Sequence, residues 1–137
     1  MPVPLSAEDR MMITELIARY ARALDTDQPH AVGELFASDG VFDGVSGLYE
    51  GRAHVIDMAR QSRAHDAPHL VQHWVANSVF DGNAARCTVK SMCMGPCNVN
   101  GQPALAFVGT YVDVCVKVQG CWLFAQRRWR PWDGSTV

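Results

Sequence analysis

The chain has 137 residues, 48% apolar and 19% charged, which suits one soluble globular domain with a single core and excludes disordered and fibrous classes. A net charge of −2 leaves no basic footprint for nucleic acid or for an anionic membrane surface. The N-terminus, MPVPLSAEDR, has neither a basic start nor a long apolar run, so a cytoplasmic protein without signal peptide or membrane span is expected.

Ser6-Ala-Glu-Asp9 is a capping signal that opens a first helix. Ile13, Leu16, Ile17, Tyr20, Ala21 and Leu24 recur on one face of it, and Asp25-Thr-Asp-Gln-Pro29 ends it. A shorter helix is expected around His30 to Phe36, broken by Ser38-Asp39-Gly40. Val41 to Asp43 reads as a short strand, Gly44 to Gly51 as a glycine-rich connection carrying Tyr49, and Arg52 to Arg63 as a third helix.

From His69 the texture changes. Segments 69–80, 84–94, 103–118 and 121–130 are rich in Val, Thr, Cys and aromatic residues. Asp81-Gly82-Asn83, Gly95 to Gly101 and Gln119-Gly120 separate them, and the Asp-Gly and Gln-Gly pairs are hairpin signals. Helices followed by consecutive antiparallel strands predict an α+β domain over 1–137, with helices on one face of a bent sheet. Gly95 and Gly109 favour bending, and such a sheet closed on one side makes a cone with a cavity. The five cysteines contain no C-x-x-C pair, and packed reduced thiols are expected.

Several pieces in order carry a resemblance over nearly the whole chain. They are Tyr20 to Asp25 at the end of the first helix, LFASDGVFDG at 35–44, GLYEGR at 47–52, HLVQHWVAN at 69–77, GTYVD at 109–113 and GCWLFAQR at 120–127. Together they resemble the SnoaL-like branch of the nuclear transport factor 2-like superfamily, whose fold is the same cone (cystatin-like). Within it the placing of acid and base groups is most similar to hexachlorocyclohexane dehydrochlorinase, bile-acid dehydratase and scytalone dehydratase. These eliminate across a carbon–carbon bond without metal or organic cofactor, so the resemblance implies none here. It matches Asp25 and His73 to an aspartate and histidine of the dehydrochlorinase, Arg127 to an arginine of its pocket, and Tyr20 to a tyrosine of the bile-acid enzyme. It also implies a homo-oligomer, trimer or dimer. The scytalone dehydratase tyrosines have no secure counterpart beyond Tyr20 and Tyr49, which leaves the leaving group open.

An aspartate that orients an imidazole makes a general base. In that reading Asp25 fixes one nitrogen of His73, the other takes a proton from substrate carbon, and Tyr20 or Arg127 stabilises the charge that develops. Blander readings stand beside it. Asp25 and Asp27 can form a turn before Pro29, His73 can be a core histidine bonded to a carbonyl, Tyr20 can be packing, and Arg127 a solvated strand end. Phe42, Tyr49, Val75, Val89, Phe107 and Tyr111 are candidate substrate-binding walls, with plain core packing as the alternative for each. His69 and His73 are not a metal pair, since four residues of strand span ~13 Å. The expectation is a dehydratase-type lyase acting on a small hydrophobic, cyclic or aromatic substrate. The alternatives are an isomerase or cyclase with the same base, and a non-catalytic ligand-binding or assembly module.

Overall fold

In the computed structural model, residues 1–66 and 70–134 are described. Helix α1 (Ala7–Asp25) starts with a complete capping box. The Asp9 backbone N–H donates to Ser6 Oγ at 2.9 Å, and the Ser6 N–H donates to Asp9 Oδ2 at 3.1 Å. Its buried residues Ile13, Leu16, Ile17, Tyr20 and Leu24 form the stripe their spacing requires. The start of the helix is pinned to the sheet through Asp9, whose Oδ1 accepts from Trp122 Nε1 at 2.9 Å and pairs with Lys117 Nζ at 2.7 Å.

Helix α2 (Pro29–Glu34) follows, with proline in its first turn. Then come β1 (Phe36–Gly44), β2 (Gly47–Glu50), α3 (Arg52–Asp66), β3 (Trp74–Gly82), β4 (Arg86–Val99), β5 (Gln102–Val118) and β6 (Cys121–Pro131). They form one mixed, unclosed sheet in the order β2-β1-β6-β5-β4-β3; β1 and β6 run parallel and the other pairs antiparallel. This is the α+β cone expected from the sequence. The Asn100-Gly101 and Gln119-Gly120 turns have positive φ at both residues, 51° and 82°, then 50° and 80°. That is the mirror-image turn whose twist matches paired strands.

Three local expectations are corrected. Ser38-Asp39-Gly40 does not break a helix but lies inside β1. Phe36 is already strand, because its fully buried ring packs 5.2 Å from that of Phe124. Gly44 to Gly51 is a β-hairpin rather than a connection, pairing Phe42 with Tyr49. The segment at Gly95 to Gly101 is largely strand, since β4 and β5 stay paired out to Val99 and Gln102 across a register shift at Met94/Pro96.

The inner face of the sheet carries Phe36, Phe42, Val89, Tyr111, Cys115 and Phe124, all buried against the helices. A β-bulge in β6 decides what joins them. Phe124 pairs with Cys115 and Gln126 with Val114, so Ala125 is extra. Strand parity switches there, and Phe124 and Arg127, three residues apart, both turn inward. On the outer face Val112, Val114 and Val116 stay half-buried, while Trp74 and Val79 are exposed. The five cysteines are free.

Candidate active site

Asp25 is the last residue of α1. Its helix stops because Thr26 caps back to Arg22 O and Asp27 takes a left-handed φ of 57°. The carboxylate is thereby freed from turn duties and reaches across to His73, in the segment that leads into β3. Asp25 Oδ2 accepts from the His73 backbone N–H at 2.9 Å, and Asp25 Oδ1 lies 2.7 Å from His73 Nδ1. A carboxylate only accepts, so Nδ1 carries the proton and Nε2 is left as the basic lone pair. The two side chains are 13% and 9% exposed, which keeps the contact largely out of water. The sequence puts His73 within a strand; in the structure it sits one residue before Trp74, where β3 begins.

Around the imidazole lie two kinds of wall. Ile17, Ala18 and Ala21 of α1 face His73, Val75 and Ser78 across a groove of about 210 Å³ that Thr14 and Arg22 also border. The Phe107 ring lies 5.2 Å from that of His73, and Trp129 meets Phe107 edge-on at 5.7 Å. Gly95 and Gly109 make room for this aromatic row. A Cβ on Gly109 would come within 2.6 Å of Trp129, and one on Gly95 would strike Phe107.

Deeper inside, Tyr20, Tyr111, Phe124 and Arg127 form a sealed cluster. The Arg127 guanidinium carbon is 3.5 Å from the Tyr111 ring centre, 4.3 Å from Tyr20 and 4.7 Å from Phe124. Burial pushes both tyrosine hydroxyls above their ordinary range, with Arg127 opposing. Burial likewise raises the Cys93 thiol to about 11, against Arg127 and Tyr111. For Arg127 itself, desolvation works against the charge, but Asp113 and the tyrosines outweigh it and the guanidinium stays charged.

The fold therefore brings Asp25, His73, Val75 and Phe107 together. Tyr20, Phe42, Val89, Tyr111 and Arg127 belong to the inner cluster. Tyr49 is half-buried at the rim, its hydroxyl bonded to Ser46 and Gln61. His69 lies outside the described residues. Among those described, no three His, Cys, Asp or Glu side chains gather as metal ligands, and no helix is long and apolar enough to cross a membrane. Asp113, the fully buried acid paired with Arg127, was not among the residues that sequence reasoning singled out. The only signal for it was an acid in line with Tyr111 and Cys115 on a strand whose other row is valine. Trp129, two residues after Arg127 on the same face of β6, was also not among the candidates.

None of the curated proteins matches the chain. Among solved structures it is similar to a nuclear transport factor 2-like protein with a cystatin-like fold from Novosphingobium aromaticivorans (25% identity, TM-score 0.84, 93% of this chain and 84% of that one). A cystatin-like protein from Nostoc punctiforme is similar at 24% identity and TM-score 0.82, over 96% and 97%. Aln2 from a Streptomyces species is similar at 17% identity and TM-score 0.84, over 94% of each chain. The family model for the SnoaL-like domain matches residues 5–128, and the chain belongs to that family, within the nuclear transport factor 2-like superfamily.

Proposed function

We propose that the protein is a cofactor-independent acid–base enzyme that removes a proton from carbon with His73, oriented by Asp25. The reaction is an elimination of the dehydratase type on a small hydrophobic, cyclic or aromatic molecule. The observation that carries this reading is the two-point hold of Asp25 on His73, 2.7 Å at Nδ1 and 2.9 Å at the backbone N–H. A turn-forming aspartate has no need of an imidazole, and a core histidine bonded to a carbonyl has no need of a carboxylate. The hold selects one tautomer and stabilises the imidazolium that forms once Nε2 has taken a proton. The groove and the Phe107–Trp129 row give a flat apolar substrate its walls.

In the elimination the C–H bond breaks, the proton goes to Nε2, and the electron pair forms the new double bond as the leaving group departs from the neighbouring carbon. The charge of Arg127, enclosed by Tyr20, Tyr111 and Phe124, is the candidate stabiliser of developing negative charge through its field, without touching the substrate. If the proton instead returns elsewhere on the same molecule, the reaction is an isomerisation; product mass separates the two. The same reading includes a homo-oligomer, supported by the half-buried apolar row Val112, Val114 and Val116 on the outer sheet face.

The test is turnover of candidate cyclic hydroxy compounds by wild type and by His73→Ala. Removal of the base should cost about 10²–10⁴-fold in kcat with thermal stability little changed. Full activity in the variant refutes the proposal.

A further inference from the structure

Ser78 faces the groove because β3 carries a bulge. Ala76 pairs with Met92 and Val79 with Lys90, so Asn77 and Ser78 together oppose Ser91. Regular alternation from Val75 would set Asn77 beside Ser91 and turn Ser78 to the outer face. Instead Asn77 takes a left-handed φ of 58°, and Ser78 turns inward with its Oγ 2.8 Å from Ser91 Oγ. Bulges of this kind re-aim side chains beside active sites.

Only one direction of that bond satisfies both hydroxyls. Ser91 is 3% exposed, and among the described residues its hydroxyl has no hydrogen-bond partner other than Ser78. Were Ser78 the donor, the Ser91 proton would be buried without an acceptor, which is unfavourable. Ser91 therefore donates to Ser78. The Ser78 proton is left to point into the groove, which Ser78 lines together with His73.

Across the groove stands Thr14. Helix α1 and strand β3 run antiparallel: Asp25 meets His73 at one end, and the Arg10 guanidinium lies 5.4 Å over the Phe80 ring at the other. Between those contacts the helix rises ~22 Å and the strand with its lead-in ~23 Å, so the two keep step. From the Arg10–Phe80 end, Thr14 is ~6 Å along and Ser78 ~7 Å, which sets them opposite each other. Thr14 Oγ1 donates to the Arg10 carbonyl at 2.7 Å, so toward the groove it only accepts. The groove thus ends, ~16 Å of backbone from the dyad, in one hydroxyl that gives a proton and one that receives one. Ile17, Ala18, Ala21 and Val75 line the stretch between.

We propose that Ser78 and Thr14 hold a hydroxyl at the far end of the substrate, Ser78 donating to its oxygen and Thr14 accepting its proton, with Ser91 as the positioning residue that aims Ser78. A hydroxyl satisfies both partners, whereas an ether or ketone oxygen satisfies Ser78 alone. The inference rests on His73 as base, and it narrows the substrate to elongated fused-ring molecules hydroxylated away from the acidic C–H. This hydroxyl is a handle and not the leaving group, because it lies too far from His73 to sit on the carbon next to the one that loses its proton. Its hydrogen bonds are the same before and during the reaction, so they lower KM and leave kcat unchanged.

Equilibrium dialysis against 2-naphthol, 2-methoxynaphthalene and naphthalene reads this subsite without turnover. Wild type should bind 2-naphthol about tenfold more tightly than naphthalene, with the methyl ether between them. Ser78→Ala should bring the ether down to naphthalene, and Thr14→Val should bring 2-naphthol down to the ether. Ser91→Ala should shrink the advantage of both oxygenated compounds at unchanged naphthalene affinity; a merely structural serine would weaken all three alike. The preference for 2-naphthol should persist in His73→Ala. Equal affinities in wild type, no binding of any of the three, or a preference lost in His73→Ala but kept in Ser78→Ala overturns the proposal. Were Ser91→Ala not to fold, the Ser78 and Thr14 variants decide the subsite. Turnover of His73→Ala judges the base separately.

Discussion

Asp25 holds His73 at two points, one oxygen on the ring and the other on the backbone, across 48 residues of sequence. The backbone contact fixes where the residue sits, and the ring contact fixes which nitrogen is basic. Asp25→Asn can still accept one hydrogen bond, but its amide cannot stabilise an imidazolium. The variant should fold with a near-normal melting temperature and lose about 10²-fold or more in kcat. Parallel circular dichroism and turnover measurements check this; a loss of structure matching the loss of rate would make Asp25 a merely structural residue.

The Asp113–Arg127 pair predicts a characteristic pattern of stabilities. Removing one partner, as in Arg127→Met or Asp113→Leu, strands a buried charge and should cost about 3–5 kcal/mol. The double variant should recover most of that, since apolar side chains fit among Tyr20, Tyr111 and Phe124. Urea unfolding of the three proteins closes the cycle, and strictly additive losses would show that the two groups are not coupled.

Acid stability should depend on Asp9. Lys117, Trp122 and Ser6 hold its carboxyl well below the ordinary carboxylate range. A lowered acid stabilises the fold above the unfolded-state value of about 4, and that contribution is lost as pH falls from there toward the folded-state value. Asp9→Asn should therefore flatten the fall of stability below about pH 4. Urea midpoints across that range measure it, and parallel curves for the two proteins would exclude Asp9 as the source.

Gly109 lies under the Trp129 ring, where a Cβ would come within 2.6 Å. Gly109→Ala must displace the indole and with it the Phe107 contact that borders His73. A loss of about 1–3 kcal/mol is expected, with altered tryptophan fluorescence. An unchanged melting temperature and spectrum would mean that the strand yields instead.

On the outer sheet face, Val112→Lys with Val114→Lys should shift the proposed oligomer toward monomer in sedimentation velocity at unchanged secondary structure. A wild-type chain already monomeric at high concentration would remove the oligomer from the proposed function.

Much of this architecture could be read from local sequence. The α1 stripe from Ile13 to Leu24, the Ser6–Asp9 cap and the glycine turns each rest on spacings of a few residues, where covalent periodicity and backbone sterics decide the outcome. The strand through Ser38-Asp39-Gly40 could not be read that way, because Phe36 is held by Phe124, far along the chain. Residue types and a family resemblance nominated Asp25 and His73. Their contact exists only because α1 ends beside the lead-in to β3. Arg127 turned inward for a reason invisible in its own strand: the extra residue at Ala125, whose bulge is defined only against β5. Asp113 became visible with it. Local spacing sets which face a side chain takes within one element, whereas pairing across elements chooses the register, and at this site register decides which charges meet.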